Sequence, residues 1–206
     1  MKIQTVVTGN IGENAYVASD GKTAAVIDPG ADAGAIEAAM QGLDCVAVLL
    51  THAHFDHIGA AAYFKRKGAK IYMHRDDEKL LTDGGHLARQ FGETLDEFVP
   101  DVFVSDGDEL EIGEMKFKVL HTPGHTDGSV CYIAENVVFS GDTLFCGGVG
   151  RTDFPSGSAQ KLYRSIDEKL FALQGEYKIL SGHGAPSSLS YEKKNNPFRI
   201  YLCANR

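Results

Sequence analysis

The segment Thr51–His57, THAHFDH, places three histidines and an aspartate in one short stretch of a chain that has only 8 histidines in 206 residues. Neutral imidazole and carboxylate are the donors zinc prefers, and iron and manganese accept the same set. His52 and His54, two positions apart in a loop, can both turn toward one ion. Asp56 and His57 then point elsewhere and can serve a second. Three more candidates follow: His125 in HTPGHTDGS, Asp142 in FSGDTLF and His183 in LSGHGAP. Together these side chains exceed one tetrahedral site. They suit two divalent ions sharing a bridging carboxylate and a bridging hydroxide, with zinc the first expectation and iron or manganese the alternatives. Asp28, in VIDPG, is expected behind the ligands, where it would fix a ligand loop. His74, His86 and His121 stand outside the cluster and read as surface or internally satisfied residues. Asp142 follows Ser-Gly, a turn context in its own right, so its case leans on its company.

The candidates share a position relative to the elements that must carry them. His52, His54, Asp56 and His57 leave CVAVLL, a continuous apolar run of strand length, as expected for a strand covered on both faces. His125 follows the strand FKVL, Asp142 follows NVVFS, and His183 follows YKIL. Groups at the exits of strands can converge at one end of a sheet although they are distant in sequence. The start of the chain alternates like a strand and its turns, and NAYVAS, AAVIDPG and AKIYMH read as further strands. GAIEAAMQG and AAAYFKRKG read as helices closed by glycine. DDEKLLTDGGHLARQFG reads as a helix broken at Gly84-Gly85. DELEIGEMKFKVLHT reads as a hairpin, and GSVCYIA with NVVFSGD as a second strand pair. SAQKLYRSIDEKLFAL is amphipathic, with Leu162, Ile166 and Leu170 on one face. Strands in sets, each followed by a helix, predict an α/β fold of two packed sheets with helices outside.

Size and composition are those of a globular chain and fit one domain over residues 1–206, with 43% apolar and 23% charged residues. The net charge of −8 argues against a nucleic-acid partner, which would require a basic stripe. No apolar run is long enough to span a membrane. The first residues lack the charged, apolar and cleavage regions of a signal peptide, so a cytoplasmic location is expected. Cys45, Cys131, Cys146 and Cys203 are scattered, without metal or redox spacing, and read as reduced thiols. Cys146 is set apart by its glycine-rich loop. The sequence leaves the oligomeric state open.

Taken in order, VIDPG, THAHFDH, HTPGHTDGS, FSGDTLF and LSGHG resemble the metallo-β-lactamase fold superfamily over about residues 15–185. The resemblance implies a four-layer αββα sandwich with metals at one edge. It gives His52, His54 and His125 to a first ion and Asp56, His57 and His183 to a second, with Asp142 bridging. Within the superfamily, GDTLFCGGVGRTDFPSGS and the closing NNPF are similar to the small, single-domain type of glyoxalase II, the hydroxyacylglutathione hydrolases. The implied activity is hydrolysis of a small-molecule thioester by water activated between two cations; a single zinc brings water to a pKa of about 7. Asp56 would be a ligand and a catalytic proton acceptor. Arg151 occupies the place of a lysine that contacts glutathione in the larger enzymes and is suited to a substrate carboxylate. The aromatic two positions after that lysine is Asp153 here, with Phe154 next, which leaves another thiol carrier or a simpler thioester as alternatives. GRTDF also occurs in persulfide dioxygenases, whose single iron is held at positions equivalent to His52, His125 and Asp142. Those enzymes carry AHD where this chain has SGHGAP, which favours the hydrolase. A lactonase is a further alternative. A non-enzymatic module fits poorly with the full ligand set, a β-lactamase with the missing export signal, and a nuclease with the charge.

Overall fold

The computed structural model describes residues 1–92 and 94–199, with side chains except at 83–87 and 90. Cys203 and the side chain of His86 lie outside what the structure describes. The first sheet runs β1 (Lys2–Thr8), β2 (Glu13–Ser19), β3 (Thr23–Ile27), β4 (Asp44–Leu49), β5 (Lys70–His74) and β6 (Val102–Val104), in chain order. β1, β2 and β3 pair antiparallel, and β3 to β6 pair parallel. Parallel neighbours need crossovers, here α1 (Ala33–Ala39), then α2 (Phe55–Ile58) with α3 (Ala61–Arg66), then α4 (Glu78–Gln90). The second sheet contains β7 (Glu109–Ile112), β8 (Met115–His121), β9 (Val130–Ala134) and β10 (Val137–Gly141). After the ribbon β11 (Leu144–Phe145) and β12 (Gly148–Val149) and helix α5 (Ala159–Ser165), the chain returns as β13 (Lys178–Ser181), parallel to β10. β14 (Ser187–Ser188) closes that edge and α6 (Leu189–Asn195) follows.

Strand alternation builds the layers. Tyr16, Ile27 and Leu49 from the first sheet meet Phe117, Val119, Tyr132, Phe139 and Leu180 from the second in one buried cluster. Their neighbours Val17, Val26 and Val48 face the other way and pack with Ile36, Ile58 and Phe64 of the flanking helices. On the far side Cys131, Ile133, Val138 and Ile179 pack with Leu162, Ile166, Leu170 and Leu189. Central strands are therefore apolar on both faces, and the order is helix, sheet, sheet, helix, the αββα sandwich expected from the sequence. Among the described residues no helix is long and apolar enough to cross a membrane.

Several elements depart from the sequence reading. α4 runs unbroken through Gly84 and Gly85. Each glycine costs about 1 kcal/mol relative to alanine, but Leu80, Leu81 and the buried Ala88 anchor the helix on both sides of the pair. The segment after Ser158 is not one α-helix: α5 passes into a π turn over Ile166–Leu170, closed by the Phe171 N–H to Ile166 O bond of 2.8 Å. A strict four-residue repeat drifts off the face of an ideal α-helix, and the wider turn helps keep Leu162, Ile166 and Leu170 all buried. β6 and α6 were not anticipated; each is short, and α6 has a weak apolar pattern.

Candidate metal centre

Four strand exits meet at one edge of the sandwich. The loop after β4 carries His52 and His54, and α2 carries Asp56 and His57. The parallel pairing of β10 with β13 sets Asp142 beside Gly182 and His183, with the Gly182 N–H donating to Gly141 O at 2.9 Å. Asn14 and Tyr16 of β2 donate side-chain hydrogen bonds to Ser181 O at 3.0 and 2.6 Å, locking the two sheets together there. All seven expected ligands come together. The rings of His52, His54 and His125 lie 4.6–4.8 Å apart, centroid to centroid, nearly perpendicular in every pair. His54 Nδ1 and His125 Nε2 approach to 2.9 Å. In the second group, Asp56 Oδ2 lies 3.2 Å from His183 Nε2 and 3.6 Å from His57 Nε2. Asp142 spans the two groups, with Oδ1 3.4 Å from His57 Nε2 and Oδ2 3.5 Å from His125 Nε2.

The hydrogen bonds behind the rings orient them. Asp28 Oδ1 accepts the Thr51 N–H at 2.7 Å, while Oδ2 accepts the Thr51 hydroxyl at 2.6 Å and His57 Nδ1–H at 3.0 Å. The Thr51 hydroxyl has a single hydrogen, given to Asp28, so its oxygen is left to accept His52 Nδ1–H at 3.1 Å. His125 Nδ1–H donates to Arg151 O at 2.7 Å. In each case the Nε2 lone pair is turned toward the centre, the arrangement by which a hydrogen bond behind an imidazole prepares it as a ligand. Asp28 holds its bonds from behind the cluster at a φ of +48°.

Two braces were not found from the sequence. Asp77, at the foot of α4, accepts from Ala53 N, Thr126 Oγ1 and Gly128 N at 2.7–3.0 Å and so staples the His52–His54 loop to the His125 loop. Burial pushes its carboxyl up to about 6, against the hydrogen bonds that favour its charge. In sequence it is one acid of the run DDE, which reads as an ordinary helix start. Glu13 is buried behind His57, with Oε1 3.9 Å from His57 Nδ1 and Oε2 accepting from Thr8 at 2.8 Å. Burial raises its pKa well above the usual glutamate range, against the pull of His57. No spacing signal marks it.

The two groups differ in charge. Burial, reinforced by neighbouring imidazoles, drives the pKa of His52 well below normal and that of His54 to about 3. Burial also lowers that of His125, against Asp142. These rings are neutral at pH 7, as ligands must be. Burial opposes charge on His57 and His183 as well, but Asp56 and Asp142 outweigh it and both values are raised. Asp142 is itself held well below the usual carboxylate range: burial works against its charge, and His57, His125 and His183 overcome it.

The donors fit metal ions. Among the described residues, the buried side-chain nitrogens and oxygens without a hydrogen-bond partner are Glu13 Oε1, His52 Nε2, His57 Nε2 and Asp142 Oδ1. Three of the four belong to the proposed ligand set, and an orphaned buried polar atom is costly unless something binds it. Gly182 leaves the room: a Cβ there would stand 2.3 Å from Asp142 Oδ1 and 2.5 Å from His57 Cε1. Above the cluster opens a cavity of about 380 Å³ bordered by Ile11, Phe55, Phe91, Phe145 and Phe154, with Arg151 the only lysine or arginine among the described residues lining it. Phe55 and Phe91 stack at 5.2 Å and separate it from a second hollow of about 250 Å³. Outside the cluster, His74 and His121 stack on each other at 4.0 Å; His74 accepts from Asp76 N and His121 donates to Asp127 O. Cys45, Cys131 and Cys146 are free thiols.

Fold and site together define a metal-dependent enzyme scaffold, and comparison with known proteins names it. Residues 8–183 match the family model of the metallo-β-lactamase superfamily, and the chain belongs to that superfamily. It is 40% identical over 187 residues to the hydroxyacylglutathione hydrolase GloC of Haemophilus influenzae, covering 87% of this chain and 88% of the relative. Two solved structures are similar over almost their whole length. The BLEG-1 B3 metallo-β-lactamase has a TM-score of 0.88 at 37% identity, over 96% of this chain and 99% of that one. TTHA1623, solved in a di-iron-bound form, has a TM-score of 0.86 at 36% identity, over 95% and 99%. The chain is a hydrolase of the metallo-β-lactamase fold with a metal-binding donor set.

Proposed function

We propose that this chain hydrolyses thioesters of small thiols, in the manner of a hydroxyacylglutathione hydrolase, releasing a hydroxy acid and the free thiol. The observation that carries the reading is the Asp142 carboxylate, which offers one oxygen to each of two three-residue donor groups. His52, His54 and His125 would hold one ion and Asp56, His57 and His183 the other. The 40% identity to GloC supports the thioester as substrate. When bound, the ions supply an activated water and positive charge against the developing oxyanion. Zinc is the first expectation; the di-iron form of TTHA1623 supports iron as the alternative.

The chain's own residues do the rest. To hold an ion, His57 and His183 would have to be neutral, and Asp56 and Asp142 would stand beside them as anions at the reaction centre. Asp56 is ionised, because His57 and the His183 hydrogen bond outweigh its burial, and it is placed to take up a proton as the water attacks. The aromatic walls hold the acyl and thiol arms and limit water entry. No side chain need act as the nucleophile, since thiolate is already a good leaving group.

The test is metal analysis of the purified protein beside two assays: thiol release from S-lactoylglutathione, and oxygen uptake with glutathione persulfide. Two ions per chain with thiol release is the expected result, and His54→Ala should lose metal and turnover together. Oxygen uptake without thiol release would replace the hydrolase by the dioxygenase. Normal turnover in metal-depleted protein would remove the metal mechanism altogether.

A further inference from the structure

The segment Arg151–Phe154 closes the His54–His125 side of the cavity. Its main chain orients His125 through Arg151 O. The Phe154 ring meets His54 edge-on, with centroids 5.6 Å apart and planes at 86°. The Arg151 guanidinium carbon lies 3.9 Å from the centroid of that ring. One edge of the guanidinium is turned to Asp153: Nε donates to Oδ1 and Nη2 to Oδ2, both at 2.7 Å. That two-donor edge has the geometry by which arginine recognises a carboxylate. The chain therefore satisfies from within the contact that an incoming carboxylate would seek. Both partners are largely exposed, so the pair can exchange without moving the backbone. Charge points the same way. Among the described residues Arg151 is the only lysine or arginine lining the cavity, Asp153 cancels it, and the whole chain carries −8.

We propose that Asp153 is an internal competitor for substrate carboxylate, so that the site favours thioesters whose thiol arm is uncharged near Arg151. The substrate class rests on the thioester reading above; the contact itself does not. An anionic arm can still bind, but only by displacing Asp153 from the guanidinium.

The experiment compares wild type with Asp153→Asn on two thioesters of lactate, one of glutathione and one of the uncharged thiol N-acetylcysteamine. The ratio of kcat/KM, anionic over uncharged, should rise roughly two- to five-fold in the variant, the scale of an exposed ion pair. The change should fall on KM and should vanish in an Arg151→Gln background. In parallel, calorimetry on the metal-loaded proteins measures binding of S-hexylglutathione, a thioether with the same carboxylates and no scissile bond. Its affinity should rise by a similar factor. Tighter thioether binding with neither thioester hydrolysed would uphold the competition and sink the thioester reading. An unchanged ratio and affinity, or a fall in either, would overturn the proposal, since Asp153 would then be idle or would be holding Arg151 ready for the substrate.

Discussion

Replacing Asp28 by asparagine changes one atom and should cost the second ion. Three donors converge on the carboxylate: Thr51 N–H on Oδ1, and the Thr51 hydroxyl and His57 Nδ1–H on Oδ2. An amide has one acceptor oxygen. With that oxygen toward His57, the amide NH2 faces the Thr51 N–H across 2.7 Å, and a buried backbone donor loses its partner at a cost of about 1–3 kcal/mol. With the amide flipped, its NH2 faces His57 Nδ1, and His57 must present Nε2–H to the centre in place of a lone pair. Either way the orientation of His57 is weakened. Loss of such a supporting group typically lowers metal affinity about 10- to 100-fold, or about 1.4–2.8 kcal/mol. The assay is competition against a chromophoric chelator, with metal content after dialysis and the melting temperature of the metal-free protein as controls. The expected result is one tightly held ion and one weakened by at least tenfold. Two ions held as in wild type, in a folded Asp28→Asn protein, would refute the claim that Asp28 sets the tautomer of His57.

Other outcomes follow from the same geometry. Acidification should strip the second ion first, because His57 and His183 have raised pKa values and must lose protons to bind, whereas His52, His54 and His125 are already neutral; metal content measured against pH should step from two ions to one before it reaches none. In metal-free protein the sign reverses: the stability from His57 and His183 is fully present below their unfolded value near 6.5 and is lost as pH rises through their raised folded values, so melting temperatures with and without zinc should diverge on the alkaline side. Gly182→Ala should drive Asp142 and His57 apart, since its Cβ would stand 2.3 Å from Asp142 Oδ1; metal analysis should show loss of the second ion, with a stability cost of about 1–3 kcal/mol from overpacking. Glu13→Gln should be nearly neutral in a melt, because burial raises the pKa of that carboxyl and so favours its neutral form; Glu13→Ala should be clearly worse, leaving a cavity and the Thr8 hydroxyl unpaired.

Much of this site was legible because its donors are rare residue types in glycine- and proline-flanked strand exits. Three histidines around Phe55 cannot be explained by packing, and the runs before them are plainly strands. The central strands announced themselves for the same reason that they build two cores: Val17, Val26 and Val48 are apolar on the side away from Tyr16, Ile27 and Leu49. What escaped notice is chemistry that takes its meaning from distance along the chain. Asp77 and Thr126 lie 49 residues apart, and nothing local distinguishes Asp77 from Asp76. Glu192 is similar: no spacing signal marks it, yet it is buried, accepts the Gly147 N–H and bonds Asn196. Arg151 was legible as a cation near the site, but its pairing with Asp153 needed the folded turn.

Buried carboxylates explain how a cluster carried largely on loops is held in place. Loop backbone has unpaired N–H groups, and in water they would be satisfied by a mobile solvent. Here Asp28 takes the Thr51 N–H, Asp77 takes those of Ala53 and Gly128, and Glu192 takes that of Gly147 beside the cavity wall at Phe145. Each anion sits on a different segment from at least one donor it receives, so each bond fixes one loop relative to another part of the fold. The cost is buried negative charge, visible in the Asp77 carboxyl pushed up to about 6. Hydrogen bonds to charged acceptors are about twice as strong as neutral ones, which offsets part of that cost. For the carboxylates nearest the cluster, cations at the centre would offset more. On this reasoning metal and scaffold stabilise each other: the braces hold the ligands for the ions, and the ions relieve the crowding of Asp28, Asp56 and Asp142 around His57.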